Sequence, residues 1–248
     1  MNILVCISNV PDTTSKINFI ENGTIFDTNG IQFIINPYDE FGLTKAIKLR
    51  EQHGGKVTVL NVGTNQSDPT LRKALAIGAD EAVRINIHPT DSFSVSNEIA
   101  NHIKSNNYDL IIMGRESIDY NGGAVPGMLA ELLGYSFVNA TIGLNIKDSE
   151  AEVIREIEGG KEHVKTQLPL IVAGQKGIVE ESDLLIPNMR GIMSARSKPL
   201  NVEDSTCNDS KTRSISFEKP DQKSQCKMID SGNESELITL LHNEAKVI

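Results

Sequence analysis

The sequence predicts an α/β protein built on a doubly wound, mostly parallel sheet, with an added β-hairpin and a C-terminal arm. Three observations carry that expectation. Short apolar runs alternate with segments of helical period through about residue 134, the order that builds a parallel sheet with right-handed crossovers. From Thr141 the apolar period shortens to two and paired glycines punctuate it, as antiparallel strands require. Beyond residue 200 the composition turns to Ser, Asp, Lys and Thr with Phe217 as its one aromatic residue as far as Lys227, too polar for a core of its own.

Taken in order, the first strand spans Ile3 to Ile7 and leads to a turn at Asn9-Val10-Pro11-Asp12. A second apolar segment, Ile31 to Ile35, stops at Asn36-Pro37. Asp39 is the expected N-cap of a helix that runs through Ala46, Ile47 and Leu49 to about His53, where Gly54-Gly55 ends it. Strand Val57 to Val62 follows. Asp68-Pro69 then supplies an acidic cap and an early proline for a helix that Gly78 closes. Ala82 to Ile85 is a short strand, and Val95, Ile99 and Ile103 give Ser92 to Ser105 the spacing of an amphipathic helix.

The segment Asp109 to Leu133 is the most informative. Leu110-Ile111-Ile112-Met113 has the continuous apolarity of a buried parallel strand, and Gly114 ends it. A loop of small residues, Gly122, Gly123 and Ala124, precedes a helix over Val125 to Leu133 with Pro126 in its first turn. Backbone N–H groups at such a helix start can converge on an anion. The loop is neither GxGxxG nor a P-loop, and alone it reads equally well as a plain strand-to-helix connection. Ligands of doubly wound sheets bind at the carboxyl ends of strands. The loops Ser8 to Asp12, Asn61 to Gln66 and Gly114 to Gly123 all fall there, converging on one crevice.

From Thr141, Ile142 to Ile146, Glu152 to Ile157 and His163 to Gln167 alternate, with Gly159-Gly160 between the last two, and Leu168 to Ala173 is one more apolar strand. Residues 174–200 mix apolar side chains with Pro187 and Gly191, which fits an exposed partner-binding loop better than a buried helix. Residues 201–248 read as an extended arm that ends in a helical pattern through Leu237, Leu240 and Leu241; the alternative is a disordered linker with a weak helix.

A chain of 248 residues buries a proper core, while its net charge of −9 offers no basic face to a nucleic acid. No apolar run approaches the roughly 18 residues of a membrane span, and Met1-Asn2-Ile3-Leu4-Val5 enters a strand without a basic region or cleavage site. A cytoplasmic protein without membrane insertion is expected. Cys6, Cys207 and Cys226 are scattered without metal spacing, and Cys6 reads as a small core residue. The five histidines are equally dispersed, so neither a metal site nor a nucleophile-and-base catalyst is expected.

Several segments resemble the β subunit of electron-transfer flavoproteins. They are Ile3-Leu4-Val5-Cys6 with Val10-Pro11-Asp12, Asn36-Pro37-Tyr38-Asp39-Glu40, Thr70 to Asp80, the Gly114 to Val125 loop, Arg155 to Gly160, Leu168-Pro169, and Ile192 to Leu200. The resemblance spans residues 1–200, and the arm is similar to the family's C-terminal end. It implies a sheet of the adenine-nucleotide-binding type and a heterodimer with an α subunit that carries FAD. Such a carrier passes electrons between acyl-CoA or other flavin dehydrogenases and downstream acceptors, without catalytic residues of its own. The β site would hold AMP as a structural ligand or, in electron-bifurcating members, a second FAD. By this match Cys6, Asn36, Tyr38, Asp39 and Val62 surround the adenosine and Gly123, Ala124 and Val125 the phosphate. Gly114, Gly122, Met128 and Asp119, the last a turn or ribose-side residue, complete the cofactor-binding set.

The resemblance also implies a partner-docking loop at about residues 175–198, with Met189 at or near its apolar anchor, beside Arg190 and Ile192, and an arm over 201–248 whose final helix packs on the α subunit. Leucine is usual at the anchor, and methionine keeps the apolar bulk with added flexibility. Arg190, Arg196 and Lys198 would orient an acidic partner or form a solvated face, and partner contact is favoured. Asn121 to Gly127 replaces the Thr/Gln-containing phosphate loops of the family, so backbone N–H groups would carry the anion and the choice between AMP and FAD stays open. A stand-alone universal-stress-type nucleotide-binding module is the other reading. It leaves the hairpin, the docking loop and the arm without a role.

Overall fold

The computed structural model describes residues 1–206, 209–222 and 225–248; Cys207 lies outside the described residues. The main sheet is built from β1 (Asn2–Cys6), β6 (Lys56–Gly63), β7 (Glu81–Asn86), β8 (Leu110–Gly114), β9 (Ser136–Lys147), β10 (Glu150–Ile157), β11 (Gly160–Gln167), β12 (Leu170–Gly174) and β13 (Leu200–Asp204). Small strands outside it complete the numbering: β2 (Asn9–Pro11), β3 (Phe19–Ile20), β4 (Ile25–Phe26) and β5 (Phe33–Ile35). The order across the nine-stranded sheet is β11-β10-β9-β12-β8-β1-β6-β7-β13. Every pair from β9 to β13 is parallel. At the other edge β10 runs antiparallel to both β9 and β11.

The helices are α1 (Pro37–His53), α2 (Asp68–Ile77), α3 (Ser92–Lys104), α4 (Val125–Leu133), α5 (Met189–Ala195) and α6 (Glu234–Leu240), the last followed by a π-helical turn, Leu241–Ala245. Two apolar layers cover the sheet. Ile3, Val5, Val57, Val59, Leu110 and Ile112 point to one face, where Leu43, Ile47, Leu71 and Leu75 of α1 and α2 meet them. Leu4, Leu60, Val62, Ile111 and Met113 point to the other, against Ile99, Ile103 and Leu129 of α3 and α4. Successive strand residues alternate between the layers, which is why these strands read as unbroken apolar runs.

Several local expectations shift. Asn36, and not Asp39, occupies the N-cap position of α1, leaving Asp39 buried in the first turn. Asp68 is the first residue of α2 and Ser67 precedes it as the cap; the Asp68 carboxylate instead pairs with Arg84 Nε at 2.6 Å. The segment Ile31 to Ile35 contributes β5, which pairs with β2 apart from the main sheet. β9 begins at Ser136, well before Ile142, because its first half pairs with β12. The loop after β12 contains a short exposed helix, α5, and the segment after it adds β13 to the edge beside β7.

The arm lies along α3. Asp91 caps that helix through Ser94 N–H and also accepts the N–H groups of Lys211 and Thr212 at 2.6 and 2.8 Å. Glu98 accepts Ser205 Oγ and Thr206 N–H, and the Phe217 ring stacks on Phe19 with centroids 5.0 Å apart. Among the described residues no helix is long and apolar enough to cross a membrane.

Candidate functional site

The carboxyl edge of the sheet is organised by the short segment that links β5 to α1. Pro37 fixes the helix start directly after Asn36, which turns the Asn36 and Asp39 side chains toward the ends of β1 and β8. The Asp39 carboxylate accepts Ser8 N–H at 2.8 Å on one oxygen and Gly114 N–H at 2.7 Å on the other. Asn36 donates from Nδ2 to the Glu116 carbonyl at 2.9 Å and accepts Ile118 N–H at 3.2 Å. The two residues therefore clasp the loop after β1 and the loop after β8 to the start of α1. Gly114 is required by the clasp: a Cβ there would meet the Asp39 carboxylate, Tyr38 Cβ at 2.8 Å and Asn36 Nδ2 at 3.0 Å.

Burial controls the ionisation of this cluster. Desolvation pushes the Asp39 carboxyl up to about 7 against the pull of the Ser8 and Gly114 N–H groups, and the Asp119 charge adds to the rise. Cys6, the last residue of β1, is buried, and desolvation together with the Asp39 charge raises its thiol well above the usual range. A thiol held neutral in this way packs and does not attack.

The loop between β8 and α4 is small and tightly turned. Ser117 bridges Gly122, Asn121 takes a left-handed φ of 50°, and Asp119 accepts both Ser117 Oγ and Tyr120 N–H. Asp119 thus serves the turn. Gly122, Gly123 and Ala124 are exposed, and the helix behind them starts without a side-chain cap. Among the described residues the N–H groups of Gly123, Ala124 and Val125 donate no hydrogen bond to a protein acceptor. This open set of donors at the positive end of α4 suits a phosphate oxygen. Val62 closes the end of β6, and Met128 is partly exposed on the first turns of α4.

The structure therefore gathers the sequence-derived residues along one edge: Cys6, Asn36, Tyr38, Asp39, Val62, Gly114, Asp119, Gly122, Gly123, Ala124, Val125 and Met128 lie at or just beyond the ends of β1, β6 and β8. Two further residues there were not singled out from sequence. Asn61 is buried near the end of β6, donates to the Ile7 carbonyl at 2.8 Å and finds no partner for its Oδ1 among the described residues. A polar residue inside the apolar run Val57 to Val62 was the available signal. An unpaired buried acceptor costs roughly 1–3 kcal/mol. Arg115 stands directly after Gly114 with its guanidinium over the Tyr38 ring, 5.8 Å from the centroid, and bonded to Gln175 Oε1 at 2.8 Å. Gln175 in turn donates to Glu156 on β10. The open N–H cradle and the small residues lining it fit the phosphate of a nucleotide.

The second candidate region, residues 175–198, lies over α1 and α2. Leu185 N–H meets Thr44 Oγ1 at 3.2 Å and Asp183 pairs with Lys48 at 2.7 Å. Asn188 caps α5 through Gly191 N–H, and Ala195 is buried beneath it. The outer face is apolar: Ile186 is 79%, Met189 76% and Met193 69% exposed, with Ile192 and Arg190 beside them. Such a cluster of bulky exposed apolar side chains marks a contact surface. Lys198 departs from the expected partner-facing cation, because its amine turns inward onto the carbonyls of Leu75 and Ala79.

Comparison with known proteins matches the sequence of the chain to one family. The profile described as "Electron transfer flavoprotein domain" covers residues 23–206. The "Electron transfer flavoprotein subunit beta" of Bacillus subtilis (strain 168) is 38% identical over the whole length of both chains. The protein of that name from Syntrophomonas wolfei is 32% identical over 90% of this chain and 87% of its own. "Protein FixA" of Sinorhizobium fredii is 33% identical over 71% of this chain and 66% of its own.

Proposed function

The chain belongs to the electron-transfer flavoprotein family as a β subunit, and from that premise we propose that it pairs with an α subunit to form a FAD-containing carrier whose β site holds AMP as a structural ligand. Electron transfer is the family's work. The observation that carries the nucleotide is the N–H cradle of Gly123, Ala124 and Val125 at the start of α4, held in place by the Asn36 and Asp39 clasp.

Within that reading each group has a physical task. Gly123 to Val125 donate N–H bonds to the phosphate, so no basic side chain is needed. Cys6, Val62 and Tyr38 wall the adenosine with mostly apolar surface. Asn36 and Asp39 keep the loops in register while their own polar atoms stay bonded to backbone. FAD, bound chiefly by the α subunit, supplies the redox chemistry. This chain orders the heterodimer, and its arm and final helix extend the contact to the α subunit. The exposed face of Met189, Ile192 and Met193 receives the flavin dehydrogenases, with Arg190 steering an acidic partner surface.

The test is co-expression with the adjacent reading frame, followed by sizing chromatography and acid extraction. A yellow heterodimer releasing one FAD and one AMP is the expected result. A colourless chain that elutes alone overturns the carrier reading, and two FAD without AMP assigns the β site to electron bifurcation.

A further inference from the structure

Helix α5 has seven residues, too few to persist by its own hydrogen bonds in water, yet it carries the exposed Met189 and Met193. What holds it is a reciprocal pair of cations between α5 and α2. Arg72, on α2, donates from one guanidinium nitrogen to the carbonyls of Ala195 and Lys198, both at 2.7 Å, and so closes the C-terminal end of α5. Lys198, three residues beyond α5, donates from Nζ to the carbonyls of Leu75 at 2.9 Å and Ala79 at 2.6 Å, and so closes the C-terminal end of α2. Each helix thus lends a positive charge to the negative end of the other, where carbonyls lack intrahelical donors.

The backbones fit closely between those two points. A Cβ on Gly191 would collide with the Ala76 carbonyl oxygen, a backbone atom at the end of α2 that cannot swing aside. Ala195 is buried against the same helix. Arg50 adds a third cation by donating to the Gly78 carbonyl at 2.9 Å, so Lys198 is not needed there and is committed to Leu75 and Ala79. Burial draws the Lys198 amine below its ordinary range, with Asp80 opposing and Arg50 adding to the effect.

We propose that Arg72 and Lys198 are positioning residues for partner docking: they seat α5 on α2 in its docking conformation before any partner arrives, and neither charge meets the partner. The inference rests on the docking role given to Met189 above. A preformed seat removes the cost of ordering the helix on binding, and it leaves Arg190 and Arg196, both exposed, as the charges a partner meets.

The experiment uses the flavin-loaded heterodimer with Lys198→Met, Lys198→Arg, Arg72→Met and Arg72→Lys. Hydrogen exchange of residues 189–195 is measured in the carrier alone, and KM and kcat for the carrier with an acyl-CoA dehydrogenase donor are measured separately. Lys198→Met and Arg72→Met are expected to speed exchange over α5 at least tenfold and to raise KM several-fold, with kcat within twofold and the flavin absorbance unchanged. Lys198→Arg keeps a donor at the α2 carbonyls and is expected to restore most of the KM. Arg72→Lys keeps the charge on a shorter stem and gives an intermediate effect even if Arg72→Met fails to fold. Unchanged exchange over α5, or faster exchange with an unchanged KM, overturns the proposal. A wild-type carrier that exchanges electrons with no acyl-CoA dehydrogenase overturns the docking reading itself, and is told apart because α5 exchange in the carrier alone still responds to Lys198→Met.

Discussion

Asp39 and Gly114 are 75 residues apart in sequence, and the carboxylate of the first accepts the backbone N–H of the second at 2.7 Å in the buried edge of the sheet. With Ser8 N–H on its other oxygen, Asp39 is an acceptor twice over. Asparagine in its place keeps the shape but turns an NH2 group toward one of two N–H donors. Asp39→Asn is therefore expected to cost about 1–3 kcal/mol, the penalty of one buried donor left unpaired, read as a lower urea midpoint at pH 5, where the buried carboxyl is largely neutral.

The same carboxyl makes the difference between the two proteins depend on pH. Its folded value, near 7, lies above the ordinary value of 3.8, so the unfolded chain releases this proton more readily than the folded one. The stabilising contribution of the protonated form is complete below the unfolded value and is lost as pH rises through about 7. Asp39→Asn has no proton to release at this site. Wild type should gain stability relative to the variant between pH 8 and pH 5, measured as the gap between their urea midpoints. A constant gap would show that Asp39 titrates at its ordinary value.

Gly114→Ala attacks the clasp from the strand side. The new Cβ would lie 2.8 Å from Tyr38 Cβ and against the Asp39 carboxylate, and overpacking of this kind costs about 1–3 kcal/mol. Because the displaced groups are those that hold the loops after β1 and β8, the variant should also retain less AMP through gel filtration. A destabilised variant with full AMP content would separate the clasp from the nucleotide site.

The reach of sequence reasoning tracks how local each signal is. Helix α4 has the expected bounds, Val125 to Leu133, and the small-residue loop and Pro126 that mark its start lie within five residues of one another. Asp39 looks locally like an N-cap, and nothing near it in sequence announces donors 31 and 75 residues away. Lys198 reads as a solvated cation for the same reason, since its acceptors are 119 and 123 residues distant. Leu200 to Asp204 has the composition of an arm but becomes a strand because the edge of β7 supplies its partners. At β9, Ala140 adopts a left-handed φ of 51° and the register slips opposite Val172, which erases the alternation that would have marked the strand's first half.

Ala124→Asp separates nucleotide binding from helix stability. Ala124 precedes the first turn of α4 and offers no side-chain cap. An aspartate there can accept an N–H of that turn, a gain of about 1 kcal/mol when cap geometry is met. The same carboxylate occupies the anion seat and repels a phosphate. The expected outcome is at least a tenfold loss of bound AMP with no fall in the melting temperature of nucleotide-free protein. A variant that keeps its AMP would place the phosphate elsewhere.

Asp91→Ala tests how the arm is held. One carboxylate both caps α3 through Ser94 N–H and accepts the N–H groups of Lys211 and Thr212. Although the partial burial of the group works the other way, the N–H groups of Ser94, Thr212 and Lys211 hold the carboxyl down at about 2. A lowered value means that the contribution is present above about 3.8 and fades only as pH falls through 2, so the arm stays attached across the whole neutral range. Loss of the cap should cost about 0.5–2 kcal/mol in global stability. Loss of the two arm contacts should also speed cleavage within residues 209–222 by a non-specific protease, well beyond the change elsewhere in the chain. Asp91→Ser separates the two roles, because a serine hydroxyl can cap α3 but is too short to span to Lys211 and Thr212. That variant should recover the global stability while the arm remains sensitive to cleavage. Recovery of both together would mean that the arm is held by Glu98 and the Phe19–Phe217 stack without help from Asp91.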